Sequence, residues 1–114
     1  MEQPKINIII ADDNKRFRDI LKDYIVSQDD MVVVGIAEDG VDVLKLVQEK
    51  KPDLLILDMI MPQLDGLEVL DRLNKMDLDP MPRIIVLSAV SNDKISQRAI
   101  SLGADYYILK PFDM

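Results

Sequence analysis

Cysteine, histidine and tryptophan are absent from these 114 residues. Without cysteine there are no disulfides, zinc thiolates or thiol nucleophiles. Without histidine, imidazole acid–base catalysis, a Ser-His-Asp triad and histidine metal sites are excluded. No apolar run is long enough to span a bilayer, and no signal peptide is recognised at the start, so a cytoplasmic protein is expected. Positive charge is in deficit as well. A net charge of −7 makes the chain a poor DNA binder by itself. Any action on DNA would run through a partner or through sequence beyond this stretch. Low-complexity tracts, repeats and linkers are not found, and the length suits one domain with one core.

What is present is an alternation of two periods. Lys5 to Ala11, Met31 to Ala37, Asp53 to Asp58, Arg83 to Ser88 and Asp105 to Leu109 are short apolar runs, rich in β-branched residues, and read as five strands. Leu54-Leu55-Ile56-Leu57 runs without a break into Asp58, as expected of a strand buried on both faces. Between the runs, apolar residues recur at helical spacing. The first helix presents Phe17, Ile20, Leu21, Tyr24 and Ile25 on one face after a cap at Asn14 or Asp13. The second presents Val41, Leu44 and Val47 and ends at Lys50-Lys51 before Pro52. The third follows the Pro62 to Gly66 loop with Leu67, Leu70 and Leu73 inward. The fourth opens at Asn92 or Asp93, turns Ile95, Ala99 and Leu102 inward, and closes at Gly103. Strand–helix alternation implies an α/β fold, a parallel sheet with right-handed crossovers. Five strands with four helices would leave helix one alone on its face of the sheet, and a fifth helix is expected after Met114.

In a parallel sheet all strands end on the same side. Asp12-Asp13, Asp58, Ser88 and Lys110 each fall at or just past such an end and can converge on one crevice. Carboxylates gathered there repel one another, and a divalent cation relieves the repulsion. Mg²⁺ takes one or two carboxylates together with phosphate oxygens. Asp58 is then the candidate nucleophile, forming an acyl phosphate. Lys110 offers a positive charge, the Ser88 hydroxyl a donor, and Ala89 leaves space for the phosphoryl group. Singly, these residues have blander readings. Asp12-Asp13 is a helix cap, Asp58 a turn residue, Ser88 a strand-end hydroxyl, Lys110 a solvated charge and Tyr107 a rim aromatic. The methionines, Met59, Met61, Met76 and Met81, read as gap-fillers in the core. The joint placement at four strand ends selects the phosphoryl site.

On Ala-Asp-Asp-Asn (11 to 14), Leu-Asp-Met-Ile-Met-Pro-Gln-Leu-Asp-Gly (57 to 66), Leu-Ser-Ala (87 to 89) and Lys-Pro-Phe (110 to 112), the chain resembles the receiver domain of two-component response regulators over its whole length. The resemblance implies a flavodoxin-like (CheY-like), doubly wound sheet of strand order 2-1-3-4-5, with the fifth helix missing from residues 1-114. It makes Asp58 both the phosphoacceptor and a ligand of Mg²⁺, Mn²⁺ or Ca²⁺, Asp13 a direct ligand and Asp12 a mostly water-mediated one, with the main-chain carbonyl of Ile60 completing the set. Lys110 pairs with the phosphoryl group, and the Lys110-Pro111 bond is expected to be cis. Ser88 and Tyr107 form a switch pair that reshapes the helix 4–strand 5 face. The phosphodonor is a histidine kinase or histidine phosphotransferase. The stretch from Gly103 to Met114 is similar to the branch of stage-zero sporulation transcription factors of endospore-forming bacteria. That likeness implies a phosphorelay and a C-terminal DNA-binding domain outside this chain.

Two departures from the family pattern shape further expectations. Loss of the fifth helix exposes apolar surface, so self-association through the helix 4–strand 5 face, or segment exchange between chains, is expected. Ile60 and Val90 flank the site with apolar side chains that hold no attacking water, so self-hydrolysis of the acyl phosphate is expected to be slow. Phosphotransferases and phosphatases that use an aspartyl phosphate usually carry an acid two residues after the nucleophile. Ile60 stands there, which argues against a turnover enzyme. A phosphorylation-independent interaction module would leave the acid, hydroxyl and lysine set idle. A stand-alone receiver without DNA-binding output is the other alternative. A nucleotide-binding domain lacks support, because Asp-Asp-Asn, with no glycine-rich loop, follows strand one.

Overall fold

The computed structural model describes residues 5–61, 63–89 and 92–110. Strands and helices alternate along the chain. They are β1 (Ile6–Ala11), α1 (Lys15–Val26), β2 (Met31–Ala37), α2 (Gly40–Lys50), β3 (Leu54–Asp58), α3 (Gly66–Lys75), β4 (Arg83–Ser88), α4 (Asp93–Ser101) and β5 (Tyr106–Leu109). All pairings are parallel, and the sheet runs β2-β1-β3-β4-β5, the CheY-like order. Each helix begins on a side chain that accepts one of its free N–H groups. Asn14, Asp39, Asp65 and Asn92 receive the N–H of Phe17, Asp42, Glu68 and, for Asn92, both Lys94 and Ile95. The Asp79–Pro80 bond is cis. The cis bond expected at Lys110-Pro111 lies outside the described residues.

The period of two along the strands sorts their side chains into two cores. Ile9, Ala11, Leu55, Leu57, Ile84 and Val86 face the larger one, with residues of α2, α3 and α4. Ile8 and Ile10 face the smaller one with Ile25 of α1, flanked by Leu54 and Ile56. Among the described residues α1 is the one helix on its side. It packs on β1 and β2 and leaves the same face of β4 and β5 open, with Tyr106 and Ile108 exposed.

Two helix faces differ from expectation. On α1 the buried positions are Phe17, Arg18 and Ile25, whereas Tyr24 is 63% and Ile20 37% exposed. Packed on β1 and β2, the helix buries the stripe that meets the sheet, and Ile20 and Tyr24 lie on its open flank. On α2 the inward residue is Val43, and Val41 is exposed. α2 touches both the sheet and α3, so its buried stripe is centred on Val43 and Val47. In α3, Leu70 and Leu73 are buried as expected, joined by Val69, while Leu67 is half-buried.

Candidate functional site

Register places the acidic residues. Ala11 of β1 pairs with Leu57 of β3, so Asp12 and Asp58, one step further on, end side by side. Asp58 in turn pairs with Leu87 of β4, and Ser88 pairs with Leu109 of β5. The Lys110 N–H donates to the Ser88 carbonyl at 2.7 Å, which brings the lysine to the same edge. Carboxylate oxygens of Asp12, Asp13 and Asp58 lie within 4.8 Å of one another. Asp12 and Asp58 are buried, and Asp13 is exposed.

The alternation that sorts the cores also sorts the site. Asp12 continues the line of Ile8 and Ile10, and Asp58 that of Leu54 and Ile56, so both belong to the α1 side of the sheet. Ser88 continues the line of Ile84 and Val86 toward the larger core. Ser88 is buried, and Tyr107 is half-buried against that core. The two residues expected to form the switch therefore share one side of the sheet, with Ser88 one position past the Asp58–Leu87 pair at the strand end.

Lys110 Nζ lies 2.8 Å from Asp12 Oδ2 and 3.3 Å from Asp58 Oδ1. Asp12 Oδ1 accepts the Asn14 N–H at 2.8 Å. Its other oxygen, Oδ2, is buried and faces the Lys110 ammonium. Two negative charges thus share one positive charge in a partly dry site. Burial, then the charge of Asp12, raises Asp58 to about 6; Lys110 and a hydrogen bond from the Ile60 main chain partly offset the rise. Burial would lower Lys110, but its contacts with Asp12 and Asp58 outweigh this and hold it above the usual lysine value. The donor set is all carboxylate oxygen and net negative, and it fits a hard divalent cation.

Ile60 is 60% exposed and stands at the mouth of the site. Val90 lies outside the described residues. Two residues beside the site, Arg18 and Phe17, are not legible as part of it from the sequence. Arg18 is buried, donates from Nη1 to the Asp12 main-chain carbonyl at 2.8 Å, and pairs through Nη2 with Glu38 at 3.2 Å. The available signal was its spacing: Arg18 stands three and seven residues before Leu21 and Ile25, on the buried stripe. Phe17 was assigned to the core, and its ring also lies 4.7 Å from the Lys110 ammonium.

The response regulator receiver domain model matches residues 8–114. Solved structures agree. The signal receiver domain of NarL from Mycobacterium tuberculosis superposes with a TM-score of 0.88 at 29% identity, covering 94% of this chain and 85% of that one. The response regulator domain of Thermotoga maritima CheB gives 0.87 at 36% identity, covering 95% and 80%. A CheX–CheY–BeF3–Mg²⁺ complex from Borrelia burgdorferi gives 0.83 at 27% identity, covering 96% and 81%. No helix among the described residues is long and apolar enough to cross a membrane. An alternating chain that folds into the 2-1-3-4-5 sheet, gathers its acids at one edge and matches this family over nearly its whole length belongs to the receiver domains of two-component response regulators.

Proposed function

We propose that Asp58 is the phosphoacceptor of this receiver and that Asp12, Asp13 and the Ile60 main-chain carbonyl hold a divalent cation beside it. The observation that carries this reading is the convergence of three carboxylates with one ammonium at the strand ends. An ionised oxygen of Asp58 attacks the phosphorus of a phosphohistidine on a histidine kinase or histidine phosphotransferase. An O–P bond forms, the P–N bond breaks, and the electron pair leaves with the imidazole nitrogen. Mg²⁺, or Mn²⁺ or Ca²⁺ in its place, supplies positive charge at the phosphoryl oxygens when bound. Lys110 neutralises charge on the transferred group, and the Ser88 hydroxyl donates to it. Ser88 and Tyr107 relay its arrival to α4 and β5.

The domain accepts and slowly loses a phosphoryl group without turning over an external substrate, and it acts in the cytoplasm. The motif likeness to stage-zero sporulation regulators supports a phosphorelay with a transcriptional output, delivered by a DNA-binding segment rather than by this acidic domain. Ile100, Tyr106 and Leu109 are exposed along α4 and β5 and border a hollow of about 630 Å³. This is the face through which copies would associate, directly or by exchanging segments. Sedimentation that stays monomeric at high concentration, phosphorylated or not, would contradict that part.

Beryllofluoride tests the site directly, because it mimics a phosphoryl group on a carboxylate. A bound ¹⁹F resonance that needs both Mg²⁺ and Asp58, with shifts at the Ser88 and Tyr107 amides, is the expected result. Binding that survives Asp58→Asn would contradict the assignment.

A further inference from the structure

The Lys110 ammonium has a third neighbour besides the two carboxylates. The Phe17 ring centroid lies 4.7 Å from Nζ, inside the range of a cation–π contact. Phe17 is only 8% exposed, so little water competes for the ring face. The ring's place is fixed from below. The Phe17 N–H is bonded to the side chain of Asn14, the α1 N-cap, at 3.1 Å, and the Asn14 N–H is bonded to Asp12 at 2.8 Å. One short turn thus carries the acidic ligand, the helix cap and the ring in sequence. Lys110 is anchored at its main chain by the Ser88 carbonyl, but its four-carbon stem is flexible, and ordering it costs entropy. The two carboxylates hold the ammonium from one direction by charge and hydrogen bonding. A ring held on the α1 side confines it.

We propose that Phe17 is a positioning residue whose ring face stations the Lys110 ammonium over Asp12 and Asp58, ready for the incoming phosphoryl group. The inference rests on the assignment of Asp58 as phosphoacceptor, and it gives α1 a part in the chemistry through the face of an aromatic ring. The contact requires the ring's negative face, not merely its bulk.

Fluorination separates these two properties, since it drains the ring's quadrupole with little change in size. Mono-, di- and trifluorinated phenylalanine placed at position 17 alone of the full chain would be compared with the unmodified protein and with Phe17→Leu. Melting temperature verifies folding. Relaxation of Lys110 Cε reads the confinement of the ammonium in the unphosphorylated state. Intact mass reads the rate of phosphoryl gain from acetyl phosphate with Mg²⁺. Confinement should fall stepwise with fluorine count, and the rate should fall in parallel, by about fivefold for the trifluoro ring and for leucine. Unchanged confinement across the series overturns the inference whatever the rate does. Falling confinement with an unchanged rate also overturns it, because the hold would then be idle in the reaction. If the unmodified chain gains no phosphoryl group, the assignment of Asp58 fails, and the confinement series alone decides whether the ring holds Lys110.

Discussion

The Arg18 guanidinium ends on the main-chain carbonyl of Asp12, 2.8 Å away, with both residues buried. The second nitrogen of the fork pairs with Glu38, which is exposed. One arginine on α1 thereby ties the loop after β1 to the loop after β2. Removing it strands a buried carbonyl, at a cost of about 1–3 kcal/mol. Arg18→Met should lower the urea midpoint accordingly with an unchanged slope, whereas Glu38→Gln should cost less than about 1 kcal/mol because that end of the pair is solvated. Equal and small losses for both variants would show that the carbonyl contact contributes nothing.

Asp58 predicts a pH dependence with a definite sign. Its folded value is raised to about 6, against about 4 for an unfolded carboxyl. Folding therefore favours the protonated form. Its contribution is complete below about pH 4 and is lost as pH rises through about 6. Asp58→Asn has no such loss. In EDTA its stability advantage over the parent should grow between about pH 4 and about pH 7, by on the order of 2 kcal/mol. Denaturant melts across that range check it, and an advantage that does not vary with pH contradicts it. Mg²⁺ should shrink the difference, because it binds and stabilises the folded parent.

Gly66 is where the loop after β3 closes on itself. Its N–H donates to the Met59 carbonyl at 2.7 Å. A Cβ there would come 2.9 Å from the Met59 Cα and 3.0 Å from the Asp58 carbonyl oxygen, both main-chain atoms that cannot step aside. Gly66→Ala should cost about 1–3 kcal/mol and displace the acceptor. Gly35→Ala, whose new methyl meets flexible Leu46 atoms at 3.4 Å, should stay within about 1 kcal/mol. Thermal melts of the pair distinguish them, and similar losses would contradict the close approach at Gly66.

Ile60 offers the attacking water no partner. Because its side chain is exposed, Ile60→Asn should change stability by less than about 0.5 kcal/mol. Loss of the acyl phosphate should quicken about fivefold, the rate equivalent of one hydrogen bond worth about 1 kcal/mol. The decay of phosphorylated protein after donor removal measures it. An unchanged lifetime would show that this side chain does not govern water access.

Much of this was legible in the sequence, and the misses share one cause. The runs of β2 and β4 have the bounds their composition implies, Met31–Ala37 and Arg83–Ser88, because β-branched and apolar residues suit a pleated surface that is at least half-buried. Asp12, Asp58 and Lys110 meet because parallel strands end on one side, a rule of topology that needs no coordinates. Helix faces were harder. Apolar residues on α1 span a wide arc, and which part of it is buried depends on what stands beside the helix. Tyr24 is exposed for that reason. Arg18 reads as surface from its charge, and the carbonyl of Asp12 and the carboxylate of Glu38 make its burial tolerable. Phe17 was legible as core, but its second neighbour, Lys110, lies at the far end of the chain, and helical periodicity carries no information about it.

Phosphoryl transfer to Asp58 is tested most directly by intact mass after incubation with acetyl phosphate. The parent should gain the mass of one phosphoryl group in Mg²⁺, and neither the parent in EDTA nor Asp58→Asn should gain any. A gain that persists in Asp58→Asn, or no gain in a parent shown by circular dichroism to be folded, would contradict it.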